Sequence, residues 1–201
     1  MGCQINKISN VQLDEIARAH AFPMNSLGIL MSYKYLSSIV KLNWSDIAFA
    51  IENKYLLHEA AIEHAMWGLE SDSYHQRVMD LACLIDVDVK YMHALHPYID
   101  ELVKLESEDE RNKAKDKIMY AVLKWTFDHR EQYEDPLQVV VFIYADFGYP
   151  KQISNLIVYR PMTEPDLGSI AQNKQRLINR WKVFLDEQGS KYLEGSLEGS
   201  K

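Results

Sequence analysis

Residues 135–161, DPLQVVVFIYADFGYPKQISNLIVYRP, decide the fold class of this chain. Asp135 is a favourable N-cap, and Pro136 suits the first helical position because its missing N–H would have no partner there. Mostly apolar residues follow. Gly148 can then adopt the left-handed conformation that ends a helix, and Pro150 prevents the helix from continuing. The stretch therefore predicts a buried helix with a sharply defined end.

Helical periodicity extends outward from this stretch, and alternating strand patterns are almost absent. Two capping boxes are predicted where Ser9 precedes Gln12 and where Ser107 precedes Glu110. Pro97 is expected either to kink a helix or to open a new one, and Gly189 to end the last one. The predicted helices lie near 11–17, 25–41 (capped by Asn25), 43–53, 58–68, 74–85, 89–96 (capped by Asp86 or Asp88), 97–106, 107–130, 135–147 and 169–189.

These segments predict an all-α protein, an irregular bundle of eight to ten helices joined by short loops. Stacked helix pairs forming an α-solenoid are the alternative, although no internal repeat establishes one. A length of 201 residues fits one helical domain over residues 1–188. Residues 189–201 repeat Leu-Glu-Gly-Ser and are expected to be a flexible tail, either native or added.

Composition favours a cytoplasmic protein. Hydrophobic residues make up 47% of the chain, an ordinary value, and no apolar run approaches the roughly 20 residues that span a bilayer. The first ten residues lack the apolar core of a secretory signal. Cys3 and Cys83 are far apart in sequence, which argues against a disulfide scaffold or a zinc ribbon, and Cys83 is expected to be buried in an apolar stripe.

The charge distribution says more than the net charge of −7. Residues 44–110 contain 15 acidic and four basic residues, whereas the rest of the chain contains 14 acidic and 18 basic residues. Such a segment repels the phosphates of nucleic acids and attracts a basic protein surface. Solvated helix faces without a partner are the simpler interpretation of the same pattern.

Candidate catalytic and metal-binding groups are weak, so we expect neither an enzyme nor a bound cofactor or metal. His58 and His64 are six residues apart and would point to different faces of a helix. His93 and His96 are three apart, but Pro97 disturbs that geometry. The sequence has no nucleophile elbow and no glycine-rich phosphate loop. The acidic residues at helix starts are expected to complement the helix dipole.

Asp146 is a single carboxylate in the last turn of an apolar helix, where the helix dipole disfavours a negative charge. We therefore expect it to have a partner, either a Lys or Arg side chain or a backbone amide of the following turn. Tyr144, Tyr149 and Tyr159 surround it in sequence. Aromatic residues at such spacings are more often core residues than a ligand cage.

Three blocks of sequence, LNWSDI at 42–47, IYADFGYP at 143–150 and VYRP at 158–161, resemble an uncharacterised bacterial family whose members carry a domain of unknown function. The resemblance covers about residues 40–188 and supplies no catalytic residues. Small helical proteins of this kind are similar to immunity proteins, which neutralise a co-produced toxin. The resemblance therefore implies a steric mechanism, in which an acidic face covers the basic surface of a toxin.

The sequence hypothesis is accordingly a non-enzymatic immunity protein of a toxin–antitoxin pair, which blocks a basic toxin domain such as a tRNase of contact-dependent growth inhibition. It would contact neither nucleic acid nor membrane directly. The alternative is a helical adaptor that binds a host protein through an apolar groove, and such binding would be nearly indifferent to salt. The partner-binding residues predicted by the first hypothesis are Asp72, Asp86, Asp88, Asp100, Glu101, Glu106, Glu108, Asp109 and Glu110.

Overall fold

The structure, a computed structural model, describes residues 7–20, 24–70, 74–84, 94–161 and 164–194. Within these ranges the chain is helical, and the only β-type pairing is an isolated bridge between Ile8 and Tyr133. The prediction of an all-α fold with eight to ten helices is confirmed. The α-helices are α1 (Asn10–His20), α2 (Tyr33–Ile39), α3 (Trp44–Glu52), α4 (Glu59–Gly68), α5 (Gln76–Ala82), α6 (His96–Lys104), α7 (Glu108–Asp128), α8 (Pro136–Asp146) and α9 (Ile170–Glu194).

The chain divides into two compact units. Unit 1 comprises residues 1–29 and 119–201, and unit 2 comprises residues 30–118. Two 3-10 helices, Arg130–Gln132 and Lys151–Leu156, belong to unit 1. The predicted division into a domain at 1–188 and a tail at 189–201 stays a prediction.

Helix α8 forms part of the core of unit 1 and follows its sequence prediction closely. The Asp135 carboxylate accepts a hydrogen bond from the Leu137 N–H at 3.2 Å, which caps the helix start. Gly148 has a φ of 76°, the left-handed conformation expected after the helix end. The predicted buried helix is therefore confirmed, and its buried residues are Leu137, Val139, Val140, Ile143 and Tyr144.

Helix α9 presents Leu177, Trp181 and Leu185 to the core of unit 1, as their spacing predicts. Trp181 is completely buried and meets the Phe127 ring edge-to-face, with the ring centroids 5.1 Å apart. The predicted stop at Gly189 is wrong, because α9 continues to Glu194.

The region around Asn25 also differs from its prediction. Helix α2 begins at Tyr33, and its N-cap is Ser32 rather than Asn25. The Asn25 side chain instead donates to the carbonyl of Ile29 at 2.9 Å and accepts from the N–H of Ile29 at 2.8 Å. The amide of Asn25 thus closes a loop, because Asn satisfies backbone groups in turns as readily as at helix starts.

Unit 2 contains α2 to α6 and the first half of α7, with α4 against α5, α5 against α6 and α3 against α6. Helix α3 opens with a capping box: the Asn43 side chain accepts from the Asp46 N–H at 2.9 Å, and Asp46 accepts from the Asn43 N–H at 2.8 Å. The predicted α3, α4 and α6 lie where their sequence signals indicate, with Pro97 in the first turn of α6. The predicted helix at 89–96, with its Asp86 or Asp88 cap, lies mostly outside the described residues.

The capping boxes predicted at the starts of α1 and α7 are both present. The Ser9 side chain accepts from the Gln12 N–H at 3.3 Å, and Ser107 accepts from the Glu110 N–H at 3.2 Å. The prediction that Cys83 is buried is wrong. Cys83 follows the last residue of α5 as its C-cap and is exposed, because the last buried residue of α5 is Leu81.

Candidate functional site

The nine predicted partner-binding carboxylates fall into two groups. Asp72, Asp86 and Asp88 lie outside the described residues. The other six all belong to unit 2, where they occupy α6, the turn after it and the first turn of α7. This second group comprises Asp100, Glu101, Glu106, Glu108, Asp109 and Glu110.

Glu106 has an internal role that the sequence prediction missed. Its carboxylate accepts hydrogen bonds from the N–H groups of Trp44 and Ser45, at 2.5 and 3.0 Å, and from the Ser45 hydroxyl. Trp44 and Ser45 form the first turn of α3, whose N–H groups have no partner within the helix. A carboxylate at a helix N-terminus also complements the helix dipole. Glu106 therefore joins the α6–α7 turn to the start of α3.

Three of the other carboxylates make local polar contacts on the surface of unit 2. Glu110 accepts from the N–H and hydroxyl of Ser107, and these bonds lower the pKa of Glu110. The Arg77 guanidinium donates to Glu101 at 2.6 Å, and Lys113 pairs with Asp109. Exposed pairs of this kind are worth little energy, so a partner with better geometry can displace them.

The exposed side chains of Asp100, Glu101, Glu108, Asp109 and Glu110 define the acidic surface of unit 2. Over residues 96–110 the chain has six acidic residues and one basic residue, Lys104. Arg111 follows, but its guanidinium donates to the backbone carbonyl of Glu106 rather than to a carboxylate. The positive charge of Arg111 still counts, but the six carboxylates of residues 96–110 outnumber the four nearby basic side chains, so this region keeps a net negative charge. Those four are Lys104, Arg111 and the paired Arg77 and Lys113.

A buried ion pair lies in unit 2 and was not anticipated from the sequence. Lys117 of α7 donates to the carboxylate of Asp46, a residue with no exposed surface, and also to the carbonyl of Lys41 at 3.0 Å. Burial raises the pKa of Asp46 to about 6, against the opposing effect of the Lys117 charge. The Oδ1 atom of Asp46 is buried with no hydrogen-bond partner among the described residues.

His64 of α4 is buried beside α3 and hydrogen-bonds through Nδ1 to the Tyr33 hydroxyl at 3.0 Å. Its ring meets the Trp44 ring edge-to-face, with centroids 4.6 Å apart. Burial, and then the Lys117 charge, lowers the pKa of His64 to about 4, while burial and Glu63 raise the pKa of Tyr33 to about 12. Both side chains are therefore uncharged near neutral pH, and the pair connects α2 to α4 through a neutral hydrogen bond.

The predicted partner of Asp146 is present, but it lies elsewhere in the chain than expected. The Asp146 carboxylate accepts from the N–H and the hydroxyl of Ser26, both at 3.0 Å. Burial raises the pKa of Asp146, and the two bonds from Ser26 oppose that rise. Of the neighbouring tyrosines, Tyr144 is buried as predicted, whereas the prediction that Tyr149 and Tyr159 are core residues is wrong because both are exposed.

A groove of about 520 Å³ lies in unit 1, between the 3-10 helix Lys151–Leu156, the chain that follows it and α9. Its charged lining is basic: Lys174 pairs with Asp135 at 2.5 Å, Arg180 pairs with Glu164, and Arg160 stands 5.8 Å from the centre of the Tyr144 ring. The groove includes residues of the VYRP block. Its apolar lining comprises Ile157, Val158, Pro161, Ile170 and Leu177.

No group of three or more His, Cys, Asp or Glu side chains among the described residues is placed to hold a metal ion. His93 lies outside those residues, so its predicted pairing with His96 stays a prediction. His96 does contact another histidine, His58, with 3.3 Å between the Nε2 atoms. Within the described part of the chain, no helix has the length and apolar character that crossing a membrane requires.

A family model described as "Uncharacterized protein conserved in bacteria (DUF2247)" matches residues 33–189. The chain belongs to this family. The DUF2247 match includes the Glu106 contact with α3, the buried pair of Asp46 and Lys117, and the groove of unit 1. The match agrees with the bacterial resemblance found in the sequence. Comparison with curated proteins and with solved structures gives no match.

Proposed function

We propose that this member of the DUF2247 family is an immunity protein, which binds a basic toxin domain in the cytoplasm and blocks its activity sterically. The toxin class that best fits is a nuclease such as a tRNase of contact-dependent growth inhibition, because an enzyme that binds RNA presents a basic surface to it. The observation that carries the proposal is the acidic surface of unit 2.

The charge of this surface would raise the rate of association with a basic toxin and the selectivity for it. A net negative patch attracts a basic protein over about a Debye length and disfavours acidic partners. Asp100 and Glu108 can pair with cations of such a partner, since both are exposed and they lie on consecutive helices. The exposed pairs of Glu101 with Arg77 and Asp109 with Lys113 can exchange their cations for those of a toxin.

Affinity requires apolar anchors among the charges, because charged rims contribute more to encounter than to stability of a complex. Leu105 lies in the turn between α6 and α7 and is 62% exposed. Its position between Lys104 and Glu106 places an apolar side chain within the acidic segment itself. A standard interface of about 1,600 Å² around such an anchor would be large enough for tight binding.

The test uses two matched pairs of charge reversals. The first variant is Asp100→Lys with Glu108→Lys on the acidic surface of unit 2, and the control is Asp14→Lys with Glu15→Lys on the exposed face of α1. Tagged full-length proteins are used to capture partners from the native bacterial host at low and at high salt. We expect one basic partner, retained by the wild type and the control, lost by the first variant and weakened by salt.

The captured partner then allows an activity assay. If it is the toxin, stoichiometric wild-type protein inhibits it and the Asp100→Lys, Glu108→Lys variant requires a higher concentration for the same inhibition. Glu106 is left unchanged in this test because its carboxylate holds the first turn of α3. Equal capture by all variants would exclude the acidic surface as the docking site.

The groove of unit 1 supports a second candidate function, a helical adaptor that binds a host protein through an apolar surface. Val158 and Ile170 line the groove and are both exposed, so a partner that filled the groove would bury apolar surface there. An Ile170→Asp variant would abolish such binding, whereas Val183→Asp on the exposed side of α9 would not. Capture that is indifferent to salt and lost only in Ile170→Asp would favour the adaptor.

A further inference from the structure

Two histidines in unit 2 approach each other through their ring nitrogens. His58 directly precedes α4, and His96 is the first residue of α6. Their Nε2 atoms are 3.3 Å apart, and their rings are nearly perpendicular, at 82°, with centroids separated by 5.3 Å. Both residues are half-buried. Because each histidine is attached to the start of a different helix, tertiary structure rather than local sequence brings the two rings together.

The separation of the two nitrogens matches the distance between two nitrogen ligands of the same metal ion. In a tetrahedral zinc site with Zn–N distances of about 2.0–2.1 Å, two ligand nitrogens lie about 3.3–3.4 Å apart. The same 3.3 Å lies at the long end of the range for a hydrogen bond from one ring N–H to the other ring nitrogen. The two arrangements differ in protonation, because a shared ion requires a lone pair on both Nε2 atoms, whereas the hydrogen bond requires a proton on one of them.

We propose that His58 and His96 supply two ligands of a binding site for a divalent transition metal ion, with Zn²⁺ as the ion that fits best. Neutral imidazoles are ligands for Zn²⁺, Co²⁺, Ni²⁺ and Cu²⁺, whereas Mg²⁺ and Ca²⁺ take oxygen ligands. The site is independent of the proposed immunity function, because neither histidine belongs to the acidic surface of unit 2.

A metal ion at this position would tie the start of α4 to the start of α6. An ion that binds the folded protein stabilises it in proportion to the logarithm of the free ion concentration. Zn²⁺ should therefore raise the melting temperature of the wild-type protein, and Mg²⁺ at the same concentration should not. Helices α3 and α5 also link α4 to α6, since each of them packs against both.

The direct test is titration of the full-length protein with Zn²⁺ by calorimetry, and with Co²⁺ by visible absorption. We expect one ion per chain, with the Co²⁺ spectrum reporting nitrogen coordination. His58→Gln and His96→Gln should each weaken binding about tenfold or more, because even loss of a hydrogen bond to a metal ligand commonly costs about 10–100-fold in affinity. The matched control is His75→Asn, which removes an exposed histidine but keeps an N-cap acceptor for α5.

A second measurement does not depend on whether the variants fold. Imidazole proton resonances of the wild type are followed by NMR as Zn²⁺ is added, with each resonance assigned through its connectivity to the assigned backbone of the wild-type protein. Two histidines that shift together and saturate together, identified as His58 and His96, support the site. Absence of saturable binding, or shifts confined to other histidines, overturns it. Undiminished affinity in folded His58→Gln and His96→Gln proteins also overturns it.

Discussion

Lys117 of α7 donates a hydrogen bond to the Asp46 carboxylate of α3, with 12% of the Lys117 side chain and none of Asp46 exposed. The two residues are 71 positions apart in the sequence. Taking two charges out of water is costly, and their attraction recovers that cost only when both are present. The pair therefore stabilises unit 2 little in itself, but loss of one member leaves a buried charge without compensation.

Replacing Lys117 with methionine should destabilise the protein by about 3–5 kcal/mol, the usual effect of breaking a buried pair. Methionine keeps most of the volume of the lysine stem, so the effect reports charge rather than a cavity. The matched control is Lys113→Met, which removes the cation from the exposed pair with Asp109 and should change stability by less than about 1 kcal/mol. The measurement is denaturant unfolding followed by circular dichroism. Similar losses of stability in the two variants would show that removing the cation of the buried Asp46 pair costs no more than removing the cation of an exposed pair.

His64 should make the protein sensitive to acid. Its folded pKa is lowered from 6.5 to about 4, first by burial and then by the Lys117 charge. As pH falls through 6.5, the unfolded chain takes up a proton on His64 before the folded protein does. Stability is therefore lost progressively between pH 6.5 and about 4, with a slope of up to about 1.4 kcal/mol per pH unit. In His64→Gln, free energies of unfolding measured across this range should show a shallower loss than in the wild type; an unchanged slope would contradict the assignment.

Asp46 should act in the opposite sense over nearly the same pH range. Burial raises its folded pKa from 3.8 to about 6, so the folded protein takes up this proton before the unfolded chain does. Stability from this group is gained as pH falls from about 6 to 3.8 and is lost again as pH rises through about 6. In Asp46→Asn the gain in stability from protonating Asp46 is absent. The loss of stability that His64 causes at acid pH should therefore be steeper in this variant than in the wild type. A shallower loss in this variant would reverse the sign of the argument.

Glu106 should matter for stability although it lies in the acidic segment. Its carboxylate caps α3 through the N–H groups of Trp44 and Ser45, and Glu106→Ala should cost about 1–3 kcal/mol, as expected for lost hydrogen bonds to a charged group. Glu108→Ala on the neighbouring exposed position should change stability by at most about 0.5 kcal/mol. Thermal and denaturant unfolding of the two variants give the comparison. Equal stabilities would mean that Glu106 is only a surface charge.

The features predicted from sequence are those specified by neighbouring residues. Helix α8 was predictable because Asp135, Pro136 and Gly148 mark its ends locally, and the capping boxes were predictable because their partners are three residues apart. The capping box of α3 has the same kind of local signal, Asn43 followed three residues later by Asp46, although it is absent from the sequence predictions.

The features that escaped prediction depend on residues distant in the chain. Ser26 meets Asp146 across 120 positions, and Glu106 meets Trp44 across 62. Residue type at either position gives no indication of such pairing. For this reason the nine predicted partner-binding carboxylates could not be separated by sequence into internal and exposed groups. Glu106 belongs to the first group and Asp100 and Glu108 to the second.

Gly189 shows how a local signal can be outweighed by a tertiary contact, and it leads to a prediction about two residues. Alanine normally stabilises a helix interior by about 1 kcal/mol relative to glycine. A Cβ at position 189, however, would lie 2.9 Å from the hydroxyl oxygen of Tyr120, whose side chain is buried and cannot easily move. Gly189→Ala should therefore destabilise the protein, which thermal unfolding would show as a lower melting temperature.

The same contact predicts that the sign of the Gly189→Ala effect depends on one oxygen atom. Without the Tyr120 hydroxyl, the nearest remaining ring atom is 3.8 Å from the new Cβ, an ordinary van der Waals distance. In a Tyr120→Phe background, Gly189→Ala should therefore raise stability by up to about 1 kcal/mol, because the helix propensity of alanine is then unopposed. A double-mutant cycle on the free energy of unfolding measures this coupling. If the two substitutions are additive, close approach to Tyr120 does not explain the glycine.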